Sequence, residues 1–161
     1  MVLNISNALK APGTSFQFSL TQDLEPMAVS GEEIVFRRAV EVTGKYMFSG
    51  ASFQLEGSLA VSYKAPCSRC LKDVEAELLI PFDEEFAKEA DDEHPDRYLY
   101  QGEQIVLDQI VGDLIALNIP MRHLCNEGCR GLCPVCGADR NTTDCRCHGA
   151  DPEGETPYAA F

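Results

Sequence analysis

Eight cysteines constrain this chain more than any other feature of it. They are Cys67, Cys70, Cys125, Cys129, Cys133, Cys136, Cys145 and Cys147. The spacing is C-x2-C, then fifty-four residues, then C-x3-C-x3-C-x2-C-x8-C-x-C. The opening stretch, Met1 to Lys10, lacks a basic head followed by an apolar run, so no signal peptide is expected and the expected location is cytoplasmic. In a reducing compartment, cysteines in such number and spacing point to metal rather than disulfides. Two thiolates separated by two residues can reach one ion from a tight turn whose backbone N–H groups face the sulfurs. In Cys133-Pro134-Val135-Cys136-Gly137, proline fixes the turn entry and glycine tolerates a left-handed backbone. Gly131 suits the same kind of path. Soft thiolates in sets of four select Zn²⁺ first and iron second.

Eight ligands invite two four-cysteine sites, each holding one structural zinc. Cys133, Cys136, Cys145 and Cys147 form a local set, which leaves Cys67 and Cys70 with Cys125 and Cys129. That second set would staple the cysteine-rich end onto the preceding strands. Cys129 in the C-terminal set is an alternative partition, and His123 or His148 could replace a thiolate, although each reads more simply as a surface residue. A catalytic zinc keeps an open position and favours His or carboxylate ligands, so this all-sulfur cluster reads as structural. The competing class is a cytosolic thiol–disulfide or electron-transfer protein. A thioredoxin-like pair at Cys67 and Cys70 would need a βαβ setting, and a rubredoxin-like iron site would need glycine after both knuckles. Leu71 follows Cys70. No nucleophile elbow, phosphate loop or HExxH helix is present, so no enzyme is expected.

At 161 residues the chain is long enough to bury a core without cross-links. An apolar run of transmembrane length is absent, Val2 stands where myristoylation needs glycine, and the end carries no prenylation box. From about residue 34 to 82 the pattern has period two. Val40 and Val42 alternate, as do Phe53, Leu55, Leu59, Val61 and Tyr63 around Gly57, and then Val74, Ala76, Leu78, Ile80 and Phe82. Such alternation of β-branched, aliphatic and aromatic residues predicts half-buried antiparallel strands, with Ser49-Gly50 as a turn. Phe16 and Phe18 alternate within a front end rich in turn signals. A short strand is expected at Ile105–Leu107 and a helix at Asp108–Asn118, with Asp108 as N-cap and Pro120 as stop. Ile110, Val111, Leu114, Ile115 and Leu117 make its apolar stripe. Residues 83–96 carry eight acids and one lysine, and read as a solvated loop in which little is buried. The expected class is α+β: an antiparallel strand-rich body with one packed helix (1–120), a cysteine-rich zinc-binding segment packed on it (121–148) and a flexible tail (149–161).

The motifs Cys67-Ser68-Arg69-Cys70-Leu71 and Cys129-Arg130-Gly131-Leu132-Cys133-Pro134-Val135-Cys136-Gly137, with Asn141 and the Cys145-x-Cys147 ending, resemble the YceD-like family. This bacterial and plastid family is tied to accumulation of the large-subunit ribosomal RNA. The likeness covers most of the chain, including the helix ending in Asn118-Ile119-Pro120. One departure is Arg140, where the family more often carries leucine before the asparagine. The resemblance implies a non-enzymatic ribosome-biogenesis factor that supports synthesis, processing or stability of 23S rRNA. It also implies zinc ligation by Cys67, Cys70, Cys129, Cys133, Cys136, Cys145 and Cys147.

Net charge then bears on partners. The chain carries −13, from 13 cations against 26 acids. Residues 121–147 hold four arginines against three acids, a formal +1. Each zinc centre with four thiolates would add −2. Gripping naked RNA needs clustered cations, so a basic protein among the large-subunit assembly components is the expected partner. Asp91, Asp92 and Glu93 are candidates for that contact, and Arg130, Arg140 and Arg146 are the candidates if RNA is touched instead. No membrane partner is expected.

Overall fold

A computed structural model gives the architecture and describes residues 1–90 and 97–147. The order is β1 (Val2–Asn4), α1 (Ser6–Lys10), β2 (Ser15–Gln22), β3 (Met27–Val29), β4 (Glu32–Phe36), β5 (Val40–Phe48), β6 (Phe53–Pro66), β7 (Asp73–Ala87), β8 (Tyr98–Leu99), β9 (Gln104–Val106) and α2 (Asp108–Asn118). The chain is strand-rich, as its period-two pattern predicts. It divides into two compact units: Met1–Ala65 with Glu75–Met121, and Pro66–Val74 with the segment that begins at Arg122.

In the first unit, β2, β5 and β6 run antiparallel, β4 and β7 also pair with β6, and β3 pairs with β4. A separate antiparallel pair joins β1 to β9. Alternation in β6 buries Phe53, Leu55, Leu59, Val61, Tyr63 and Ala65 in turn, because successive side chains leave opposite faces of the pleat. One apolar core joins these to Val40 and Val42 of β5, Leu3 and Ile5 at the start, and Ile110, Val111 and Ile115 of α2. Aromatic rings fill its centre. Phe53 meets Phe48 at 4.7 Å and Tyr100 edge-on at 5.0 Å between centroids. The Tyr46 hydroxyl donates to the Asn4 carbonyl at 3.2 Å, so its one polar atom is satisfied.

Gly57 sits where the alternation in β6 would demand a core side chain, and its partner across the sheet is Gly44. A Cβ on Gly44 would stand 2.9 Å from the Gly57 Cα, and one on Gly57 would stand 2.8 Å from the Gly44 Cα. Each would also run into a backbone carbonyl of the facing strand, from Glu56 and Thr43 respectively. The two strands approach so closely here that only glycine fits on either side.

Several expectations change. Residues 83–87 are not a solvated loop: they continue β7, and Phe86 is fully buried while stacking on Tyr98 at 5.3 Å. The acids there share the strand with apolar residues, so the sheet exposes charge and buries the ring. Asp91, Asp92 and Glu93 lie outside the described residues, as do His148 and the tail expected at 149–161. The segment Ser6–Lys10, read only as turn-rich, forms a short helix with Ala8 buried. In α2, Leu117 faces solvent at 82% exposure, and Ile119 just beyond the helix is buried in its stead. Asp108 is the first helical residue rather than the cap, and its carboxylate accepts from the Met1 ammonium at 2.6 Å.

The glycine pair yields a direct prediction. Gly44→Ala and Gly57→Ala should each destabilise the protein by about 1–3 kcal/mol, the usual cost of overpacking a filled site. The midpoint of denaturant unfolding measures it, and an unchanged midpoint for both variants would show that the strands can part at no cost.

Candidate metal centres

Among its described residues the second unit has almost no apolar core. Cys67, Cys70 and Cys129 are buried with only Val74 and Leu132 packed against them. Its order rests on turns, backbone hydrogen bonds and the sulfurs.

The first cluster starts in the turn between β6 and β7. Cys67 N–H donates to the Lys72 carbonyl and Leu71 N–H to the Cys67 carbonyl, at 2.8 and 2.9 Å, which closes the C-x2-C knuckle. Leu71 takes a left-handed backbone, φ +60°, and leaves its side chain 66% exposed. Gly137 does the same after the second knuckle, φ +71°, where Gly137 N–H donates to the Cys133 carbonyl at 2.9 Å. Both knuckles therefore share one backbone path, although only one carries the glycine that path favours.

Cys125 and Cys129 complete the first set. The four sulfurs of Cys67, Cys70, Cys125 and Cys129 lie within 4.8 Å of one another, and so do those of Cys133, Cys136, Cys145 and Cys147. The structure thus places Cys129 with the first set. Within that set Cys67 and Cys129 are 3.9 Å apart and Cys70 and Cys125 are 3.6 Å apart. These separations are far too long for disulfide bonds, and all eight cysteines are free. They bracket the edge of about 3.8 Å that a tetrahedron with a metal–sulfur bond near 2.3 Å requires. Two clusters of four cysteines, each capable of coordinating a metal ion, are therefore present.

Electrostatics make the same point. Burial pushes the Cys67 thiol up, but backbone N–H groups of Arg69, Cys125 and Cys70 outweigh it and bring it down to about 6. Cys129 is likewise buried yet held down, by the Gly131 N–H and the Asn141 side chain. Their neighbours move the other way. Cys125 is driven up to about 12, first by sharing its proton with Cys129 and then by burial. Cys70, although the Lys72 N–H favours its thiolate, is raised by burial and by Cys67. In the second cluster the N–H groups of Cys136 and Val135 lower Cys133 to about 6, while Cys147, sharing a proton with Cys136, rises to about 12. Crowded thiols cannot all ionise alone; a divalent cation among them removes that opposition.

Outer residues hold the sulfurs in place. Asn141 Nδ2 donates to Cys129 Sγ at 3.4 Å, and Asn141 Oδ1 accepts from the Arg130 N–H at 2.8 Å. Asp139 accepts from Asn141 and pairs with Lys72 Nζ at 2.5 Å, so the knuckle at 67–72 is tied to the loop that carries the second cluster. That contact holds the Asp139 carboxyl down to about 2. Arg69 turns its guanidinium to the Cys129 carbonyl at 2.8 Å. Its own carbonyl accepts from Leu132 N–H at 3.0 Å, and a Cβ on Gly131 would stand 2.8 Å from that oxygen. The motif's glycine and asparagine are thereby explained by close approach and sulfur contact.

The remaining candidates fall as follows. His123 is buried rather than a surface residue and belongs to neither cluster; its N–H donates to Ser68 Oγ at 3.2 Å, and its carbonyl accepts from Ser68 N–H at 2.8 Å. Arg130 pairs with Asp144 at 3.3 Å, and with Arg140 it lines a hollow beside Cys133, Cys145 and Cys147. Arg69, Lys72, Asp139 and Asn141 are not among the site residues expected from sequence. Arg69 and Asn141 leave a trace there, as parts of the quoted motifs.

Comparison with known proteins follows the same residues. The profile of a family described as large ribosomal RNA subunit accumulation protein YceD matches residues 55–160. A maize protein named large ribosomal RNA subunit accumulation protein YCED homolog 1, chloroplastic, is 38% identical over 55 residues, 34% of this chain and 19% of that protein. Uncharacterized proteins of Mycobacterium tuberculosis and Mycobacterium bovis are 30% identical over 88 residues, 50% of this chain and 42% of theirs. The chain thus spans less than half the length of the curated relatives it matches. No solved structure gives a significant match.

The two clusters differ in reach, and that difference can be measured. Cys70→Ser and Cys136→Ser should each lower bound metal by about one ion per chain, on the four-ligand logic. Only Cys70→Ser removes a ligand that ties residues 67–70 to residues 125–129, so it alone should open the 122–130 segment to limited proteolysis. Identical digestion of the two variants would contradict this division.

Proposed function

The chain belongs to the YceD family, and from that membership we propose that it is an accessory factor of ribosome biogenesis acting in the cytoplasm on synthesis, processing or stability of the large-subunit 23S rRNA. The observation that carries this reading is the family match over residues 55–160. Members of the family are non-enzymatic accessory proteins. The part played by the metal follows from its donors. Zinc held by four thiolates in each cluster has no open position for substrate, so it would serve as a structural cross-link and supply folding free energy. Sets of four sulfurs, rather than isolated pairs, favour this over thiol–disulfide exchange.

The immediate partner in this reading is a basic protein of the assembling large subunit. The net charge of −13 opposes phosphate contact at long range. Residues 66–74 and 122–147 contain no Phe, Tyr or Trp, so the knuckles offer no ring on which an unstacked base could lie. Two of their cations are already engaged, Lys72 by Asp139 and Arg130 by Asp144. No helix among the described residues is long and apolar enough to cross a membrane.

Elemental analysis of protein purified without added metal should return about two zinc ions per chain. Binding to basic large-subunit proteins should weaken steeply with salt, and changing Asp91, Asp92 and Glu93 to Asn or Gln should weaken it further. A gel shift with naked large-subunit rRNA fragments, run at near-physiological salt, is the comparison. Tight RNA binding abolished by changes at Arg130, Arg140 and Arg146 would replace the protein partner with RNA. Normal large-subunit rRNA levels in cells lacking the protein would remove the ribosomal reading itself.

A further inference from the structure

Among the described residues the first unit leaves the long edge of β2 open. Among the described residues β2 hydrogen-bonds to β5 alone, in unbroken register from Ser15↔Met47 to Gln22↔Val40. The opposite margin, β7, is covered by β8 only at Phe86 and Ala87, but Pro81 and six acids from Asp73 to Glu85 guard the rest of it, and β3 has only three residues. An open edge presents unpaired N–H and C=O groups, and proteins that stay monomeric guard such edges with charge, proline, a bulge or brevity. β2 has none of these. Its eight residues, Ser-Phe-Gln-Phe-Ser-Leu-Thr-Gln, are uncharged and free of proline in a chain that is 24% charged. Its core-facing row, Phe16, Phe18 and Leu20, packs on the core yet stays only partly buried, because no further strand covers its outer side.

We propose that β2 is the interface of a homodimer in which two copies of this chain pair β2 with β2, antiparallel across a two-fold axis, so that one sheet continues into the other. The strand is complementary to itself. Antiparallel pairing centred on Ser19 sets Phe18 beside the partner's Leu20 and Gln17 beside the partner's Thr21. Apart from Gln22, which falls beside the partner's Phe16, apolar residues lie on one face and neutral polar residues on the other, the cross-strand pairs that stabilise a sheet. The ends are complementary in charge. Lys10 precedes the entry to β2, and Asp23 and Glu25 follow its exit. An antiparallel pair brings the entry of one copy to the exit of the other, twice over. A two-fold axis uses the same patch on both chains, so the assembly closes at two copies rather than growing into a fibre. A basic segment is the poorer occupant, since the strand offers it no charge. This inference is independent of the ribosomal reading.

Sedimentation equilibrium of the full, metal-replete chain over a wide concentration range tests it. Wild type should approach twice the 17.7 kDa chain mass as concentration rises. Two double variants, Gln17→Lys with Thr21→Lys and Gln17→Glu with Thr21→Glu, place like charges across the axis. Each should sediment as a folded monomer, and an equimolar mixture at low salt should recover the dimer, because opposite charges then face each other. If either variant melts early, amide exchange on wild type replaces it: the free-edge amides of β2 should gain protection as concentration rises. A wild type that stays monomeric, a dimer indifferent to both double variants, a mixture of folded monomers that fails to pair, or β2 exchange independent of concentration would each overturn the proposal.

Discussion

Four thiols held within 4.8 Å of one another set the terms for the second unit. Backbone and side-chain donors favour the thiolate at some of the sulfurs, yet their neighbours resist a second negative charge at that distance. Cys67 and Cys129 move down while Cys70 and Cys125 move up, and in the second cluster Cys133 moves down while Cys145 and Cys147 move up. A cation is the one addition that lets all four ionise together. Among the described residues few apolar side chains surround the sulfurs, so this unit is organised around the clusters rather than around an apolar core. The Lys72–Asp139–Asn141 chain then passes the position of one cluster to the loop of the other. Such outer contacts fix the orientation of the sulfurs.

The first unit is held by a different balance. Its core is apolar and aromatic, and the close approach of β5 and β6 depends on an absence, the missing side chains of Gly44 and Gly57. The sheet ends at the acid-rich β7, met by β8 only at Phe86 and Ala87, on one side and at the uncharged β2 on the other. A single chain thus combines a unit organised around two clusters of four cysteines with one whose shape follows from apolar burial.

Local patterns carry much of this fold, and they fail where the deciding contact is distant. The helix at Asp108–Asn118 and the strands through residue 82 follow from neighbours three, four or two positions apart, which is local information. The acidic run at 83–87 reads as a loop because its composition masks a strand: one buried phenylalanine beside exposed acids keeps it in the sheet. Leu117 fits the core on spacing alone, whereas the chain beyond the helix turns Ile119 inward in its place. The short helix at Ser6–Lys10 has Ile5, which offers no side-chain acceptor, at its cap position, and its first N–H is met instead by Asn4 Oδ1 at 3.0 Å, so the usual cap signal is missing.

Sequence alone determined the class of the molecule: eight cysteines in metal spacing, period-two strands and a motif pattern that identifies the family. Each of these is written in residues near one another along the chain. What only the tertiary structure decided is which distant residues meet. The grouping of Cys67 and Cys70 with Cys125 and Cys129, the contact of Asn141 with Cys129, the pairing of Lys72 with Asp139, and the apposition of Gly44 with Gly57 all depend on it. Spacing limits what a turn can reach, but it does not say which turn lies opposite. That choice belongs to the global minimum, where fifty-four intervening residues have first to fold before two pairs of sulfurs can face each other.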